Sequence, residues 1–121
     1  MNWSEKNVLI TGGSGFLGSF LIDELTKKNV NNLVIPTSKD YDLRIKTDCK
    51  NILKDVDVVF HLAGNQGGIG FLKENPASVF YDNIMMGTNL IHESKHANIE
   101  KLITLGTICS YPKFSPIPFN E

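Results

Sequence analysis

A run of glycines stands where an apolar segment passes into an amphipathic one: Val8-Leu9-Ile10-Thr11 leads directly into Gly12-Gly13-Ser14-Gly15-Phe16-Leu17-Gly18. A buried strand that turns this sharply into a helix points to a fold in which helices cross over between parallel strands. Gly12 is placed for the tight turn, Gly15 for close approach of backbone N–H groups to a ligand, and Gly18 for close packing of the helix. Gly12, Gly15 and Gly18 give a GxxGxxG spacing, while Gly13, Gly15 and Gly18 give GxGxxG; the first is preferred because Gly12 abuts the strand. With the partial positive end of the next helix aimed at it, such a junction suits a pyrophosphate. The residues predicted to hold that group are Gly12, Gly13, Ser14, Gly15, Phe16 and Leu17.

The rest of the chain repeats the alternation of strand and helix. Strand one spans Asn7 to Thr11 and helix one Gly15 to Lys28, its Phe16, Leu17, Phe20, Leu21 and Leu25 read as core. Strand two is Leu33-Val34-Ile35, closed by Pro36, and a weak helix around Thr47 to Leu53 leads to strand three, Val56 to Leu62, read as buried on both faces. A glycine-rich loop, Ala63 to Glu74, precedes the longest helix, which opens at Asn75-Pro76 and runs to Ala97. In that helix Val79, Phe80, Ile84, Leu90 and Ile91 are expected to face the core. Strand four is Leu102 to Leu105, followed by a proline-punctuated coil. The fold class is therefore α/β, a Rossmann-type doubly wound parallel sheet, incomplete, with four strands visible. Strands one to three are expected on one side of the switch point and strand four across it.

At 121 residues the chain is one domain, 1–121, small for an enzyme that also carries its own substrate domain. Its formal net charge of −1 argues against a nucleic-acid footprint, and no apolar run reaches the roughly 20 residues of a membrane span. No signal-peptide layout precedes strand one, so the expected location is the cytoplasm. Cys49 and Cys109 are too far apart for metal-ligand spacing, so no metal site is predicted and both are expected as thiols, Cys49 as an incidental one.

A doubly wound sheet binds ligands outside the carboxyl ends of its strands. At the end of strand two, Thr37-Ser38-Lys39 supplies hydroxyls and a cation where an acid would mark a ribose 2′-hydroxyl, which favours NADP; Asp40 and Asp42 keep NAD open. His61, at the end of strand three, is read as structural. Thr107 and Cys109 alternate beyond strand four, where a hydroxyl and a thiol face a substrate, although an inert buried thiol is the other reading for Cys109.

Taken together, these segments resemble the extended short-chain dehydrogenases/reductases that act on nucleotide sugars, the NAD-dependent epimerase/dehydratase family, and within it the GDP-L-fucose synthase group. Thr11 to Gly18 is similar to the family's TGxxGxxG, Asp42-Leu43-Arg44 to its adenine-side element, and Phe60-His61-Leu62-Ala63-Gly64 to its cofactor-lining HLAA motif. More specific are Gly67-Gly68-Ile69, Tyr81-Asp82-Asn83-Ile84-Met85-Met86, Asn89-Leu90-Ile91-His92 and Leu105-Gly106-Thr107-Ile108-Cys109-Ser110-Tyr111-Pro112-Lys113. The resemblance implies cofactor contacts at Asp42, Leu43, Leu62, Ala63, Gly64, Leu105 and Gly106 as well. It assigns to Thr107 a hydrogen bond to the C4 oxygen of a GDP-sugar and to Cys109 proton exchange during epimerisation. The implied reaction is 3,5-epimerisation of a GDP-4-keto-6-deoxy-mannose followed by 4-reduction with NADPH, in a full-length homodimer.

One departure is severe. The superfamily's Tyr-x-x-x-Lys is missing, since Tyr41, Tyr81 and Tyr111 are followed four positions later by Ile45, Met85 and Ser115. The chain is accordingly read as the N-terminal cofactor-binding part of a longer enzyme, with the substrate domain outside it. The alternatives are an NAD-dependent nucleotide-sugar epimerase, of the GDP-mannose 3,5-epimerase kind, or a non-catalytic NADP-binding module.

Overall fold

The computed structural model describes residues 1–107 and 110–119. After a 3-10 turn at Trp3–Glu5 come β1 (Asn7–Thr11), α1 (Phe16–Lys27), β2 (Asn32–Val34), α2 (Lys46–Ile52), β3 (Val58–His61), α3 (Ile69–Glu74), α4 (Pro76–His96) and β4 (Lys101–Thr104). The strands pair in parallel in the order β2-β1-β3-β4, with Val8 opposite Leu33 on one side and Val58 on the other, and Val59 opposite Leu102.

This order corrects the expected one: the third strand lies across β1 from β2, so the winding reverses between β1 and β3. Handedness explains where the helices then go. Right-handed crossovers running in opposite directions along a sheet place their helices on opposite faces. Leu9 and Val59 pack under Cys49, Ile52 and Leu53 of the α2 segment and Leu90 of α4. Val8, Ile10 and Val58 point the other way, onto Leu25, with Leu21 and Ile22 alongside. The period-two alternation along β1 thus feeds two cores.

Both predicted helical stripes need revision. On α1 the inner face carries Gly18, Leu21, Ile22 and Leu25, whereas Phe16 and Phe20 stack edge to face, 5.1 Å between centroids, on the exposed side with Leu17. On α4 the inner face is Met86, Leu90, Glu93 and Ser94, while Phe80, Ile84 and Ile91 are exposed and Val79 is half-buried. Each helix has two apolar stripes, and periodicity cannot say which one meets the sheet. The stretch read as one long loop also folds in part: Gly68 caps α3, Leu72 N–H donates to Gly68 O at 3.1 Å, and Phe71 lies over Gly67, where a Cβ would stand 2.5 Å from the ring. Strand three is fully buried at Val58 and Val59 but only half-buried at Phe60 and His61. Cys49 is no incidental residue, being a buried free thiol that donates to Leu43 O at 3.2 Å, with burial pushing its pKa up to about 11.

Candidate functional site

The reversal between β1 and β3 leaves their tips side by side, and a cleft of about 700 Å³ opens there. Thr11 closes its floor. The Thr11 hydroxyl accepts from Ala63 N–H at 3.2 Å and shares a 2.8 Å hydrogen bond with His61 Nδ1, while Leu62 N–H donates to Thr11 O. Burial depresses the pKa of His61, so the ring is a neutral strut between the two tips.

Beyond Thr11 the backbone turns at Gly12 with φ +72°, where a Cβ would stand 2.7 Å from Ala63 N. Gly15 N–H donates to Gly12 O at 3.0 Å and closes the turn. Gly18 lies against the same loop, since a Cβ there would come within 2.3 Å of Gly12 O. The GxxGxxG register is therefore the one in which all three glycines meet the turn. Gly13 has a different part: its Cβ would strike Ile35 Cγ2 at 2.4 Å, so it packs inward rather than lining the cleft. Gly15 is the N-cap of α1 and no side chain caps that end. The N–H groups of the first turn are thus left to whatever sits in the cleft.

Of the residues predicted to contact a cofactor, Gly12, Ser14, Gly15, Thr37, Ser38, Asp42, Leu43, Leu62, Ala63 and Gly64 line the cleft. Phe16, Leu17, Lys39, Leu105, Gly106 and Thr107 do not. Thr107 is exposed, with its carbonyl accepting from Ser110 N–H and Oγ at 3.1 and 2.6 Å; Cys109 lies outside the described residues.

A polar network at the far wall went unread in the sequence. Arg44 pairs with Asp42 at 2.7 Å and with Asp82 of α4 at 3.0 Å, and Asn65 Nδ2 donates to Asp82 at 2.9 Å. Asn65 and Asn83 exchange a second pair of bonds, N–H to Oδ1 at 2.7 Å and Nδ2 to O at 2.9 Å. Hydrogen bonds from Arg44 hold the carboxyls of both Asp42 and Asp82 below their usual range. Asp82 and Asn83 belong to a stretch quoted for its family likeness, but nothing in a 38-residue separation announces the pair with Arg44. Among the described residues no group of three or more His, Cys, Asp or Glu could hold a metal, and no helix is long and apolar enough to cross a membrane.

A glycine turn and an uncapped helix end at a switch-point cleft match the likenesses found among known proteins. GDP-L-fucose synthase 1 of Arabidopsis thaliana is 30% identical over 123 residues, covering 100% of this chain and 38% of the relative. GDP-mannose 3,5-epimerase 1 of Oryza sativa subsp. indica is 29% identical over 132 residues, covering 97% and 35%. The solved structure of MlghC, a GDP-mannoheptose C4 reductase from Campylobacter jejuni with NADP bound, superposes with a TM-score of 0.87 at 28% identity, covering 97% of this chain and 38% of that one. This chain therefore spans little more than a third of the length of these relatives. The model of the NAD dependent epimerase/dehydratase family matches residues 8–121, and the chain belongs to that family.

Proposed function

We propose that this chain is the cofactor-binding, N-terminal part of a nucleotide-sugar epimerase/reductase, of the kind that epimerises a GDP-4-keto-6-deoxy-mannose at C3 and C5 and reduces it at C4 with NADPH. The observation that carries the reading is the Gly12–Gly15 turn with the uncapped start of α1 at the edge of a cleft that runs on to Thr37, Ser38, Asp42 and Leu43. A dinucleotide fits that set: backbone N–H groups for the pyrophosphate, the Asp42-Leu43 wall for the adenine, Thr37 and Ser38 beside the ribose, and Ala63-Gly64 towards the nicotinamide. Bound there, the cofactor supplies the hydride.

The chain's own residues then bind, orient and handle protons. Thr107 is proposed to donate to the C4 oxygen of the sugar, stabilising the negative charge that grows there when a proton leaves C3 or C5. Cys109 is proposed to exchange that proton. Without a Tyr-x-x-x-Lys, the 121 residues are expected to bind cofactor without turning a keto sugar over. A reading as an NAD-dependent 3,5-epimerase has one feature in its favour, the Gly67-Gly68-Ile69-Gly70-Phe71 segment, which resembles that group's glycine loop.

The direct test is Gly15→Val. A branched side chain at the lip of the turn fills the path of the pyrophosphate and is expected to weaken NADPH binding at least about tenfold, or ~1.4 kcal/mol, by calorimetry. Wild-type affinity in that variant overturns the reading.

A further inference from the structure

We propose that Asp82 of α4 is a positioning residue that couples the two ends of the cleft: it joins the Asp42–Arg44 stretch to the Ala63–Asn65 stretch, so that a ligand gripping the first also fixes the second. The inference rests on the dinucleotide reading above, because it concerns how that cleft is held in shape.

Each carboxylate oxygen of Asp82 serves a different stretch. Oδ1 accepts from Arg44 Nη1 at 3.0 Å, and Oδ2 accepts from Asn65 Nδ2 at 2.9 Å. Arg44 is in turn clamped to its own loop: Nε and Nη2 donate to the Asp42 carboxylate at 3.0 and 2.7 Å, and Arg44 N–H donates to it at 3.0 Å. Two turns further along α4, Asn89 Nδ2 donates to the carbonyls of Leu43 and Arg44 at 3.3 and 2.8 Å. Asn83 holds the other stretch, its amide engaging both the N–H and the carbonyl of Asn65. Asp82, Asn83 and Asn89 therefore hang both stretches from one helix, and of the three it is Asp82 that touches both.

The side chain of Asp82 is only 19% exposed, so its oxygens are turned chiefly on protein. Arg44 offers its N–H groups in a rigid planar fork, and a fork held between two carboxylates transmits position as well as charge. Main chain that is ordered before a ligand arrives need not be ordered at the ligand's expense. Without the Asp82 carboxylate each stretch keeps its own tie to α4, through Asn89 or Asn83, and what is lost is the direct link between them. In a connected hydrogen-bond network the effects of changes at the two ends do not add. That property separates a link from two independent supports.

The test uses adenosine 2′,5′-bisphosphate, which lacks the half of the dinucleotide assigned to Ala63-Gly64, beside NADPH, with affinities for the 121-residue chain measured by calorimetry. Asn65→Ala removes the amide that reaches Asp82 and keeps the main-chain bonds to Asn83. It is expected to weaken the bisphosphate about threefold, which a role confined to the nicotinamide end would not do. In an Asp82→Ala background the same change is expected to have no further effect, and this comparison cancels the influence of the lost charge on an anionic ligand. Asp82→Leu, which likewise accepts no hydrogen bond, completes the cycle should alanine disturb the fold. Unchanged bisphosphate affinity in a folded Asn65→Ala chain, or an equal loss in both backgrounds, overturns this inference while leaving the cleft assignment standing. Failure of the wild-type chain to bind either ligand overturns the dinucleotide reading and this inference with it.

Discussion

The tips of β1 and β4 belong to one parallel sheet and point the same way, yet the first is locked on every side and the second stands in the open. At β1 the backbone of Gly12 presses against Ala63, Gly18 presses against Gly12, and Thr11 is bonded to both His61 and Ala63. Beyond β4, Leu105 is 60% exposed, and neither Gly106 nor Thr107 reaches the cleft. On the proposed function, the difference follows from what each tip would hold. A pyrophosphate bound by backbone N–H groups requires main chain fixed to tenths of an ångström, and local glycines can do that. On the proposed reading Thr107 offers its hydroxyl to a sugar, and it does so away from the cleft that the β1 tip bounds.

The largest expected effect is Gly12→Ala, which attacks the locked tip. One added methyl stands 2.7 Å from backbone at a position with φ +72°. Left-handed strain of about 1–2 kcal/mol and overpacking of about 1–3 kcal/mol combine to roughly 2–5 kcal/mol. Total stability is about 5–15 kcal/mol for a domain, so urea unfolding is expected to shift to a much lower midpoint or lose its cooperativity. An unchanged midpoint would mean that the tip is looser than its contacts imply.

Steric necessity also explains what the sequence made legible. Gly12 and Gly18 are readable because a Cβ at either would strike backbone closer than 3 Å, Gly15 because it keeps the spacing between them at the lip of the turn, and the strand before them marks the register. Thr37 and Ser38 were placed at the cleft correctly, but the bonds that tie Thr37 to Asp40 were not, since a folded-back turn is written only in short polar side chains. Strand order failed because β2 and the third strand look alike along the chain; the direction of the crossover through α2, packed under Leu9 and Val59, decides it. The apolar faces of α1 and α4 failed for a related reason. Phe16, Phe20, Phe80 and Ile84 are as apolar as any core stripe, and only the position of the sheet shows that Ile22 and Met86 join the correctly read Leu25 and Leu90 on the inner faces in their place. Arg44 and Asp82 meet through two separate elements, and local spacing carries no trace of such a pair.

A smaller effect comes from His61, the strut between the β1 and β3 tips. Burial lowers its pKa in the folded state below the unfolded value of about 6.5, so the unfolded chain binds the extra proton first. Stability contributed by the neutral ring is complete above about pH 6.5 and is lost as pH falls from there towards the folded pKa, at no more than about 1.4 kcal/mol per pH unit. His61→Asn is expected to flatten that part of the profile between pH 7 and 5, read as the difference in urea midpoint between variant and wild type. A parallel pair of profiles would show that the strut does not titrate with folding.

Thr107→Ala probes the open tip and is expected to be nearly silent in this chain. Thr107 is exposed and apart from the cleft, so its replacement removes nothing that a dinucleotide bound there would touch. NADPH affinity should stay within about twofold, against the loss of at least tenfold for Gly15→Val. The contrast sharpens in a protein extended to the length of the relatives. There the same change should slow hydride transfer about a hundredfold by removing a donor to the C4 oxygen, while Cys109→Ser should suppress exchange of solvent deuterium into the sugar and leave cofactor binding intact. Absorbance at the NADPH band and NMR of the sugar read the two separately. A Thr107→Ala chain that loses NADPH affinity as severely as Gly15→Val would show that both tips grip the cofactor and would erase the distinction between them.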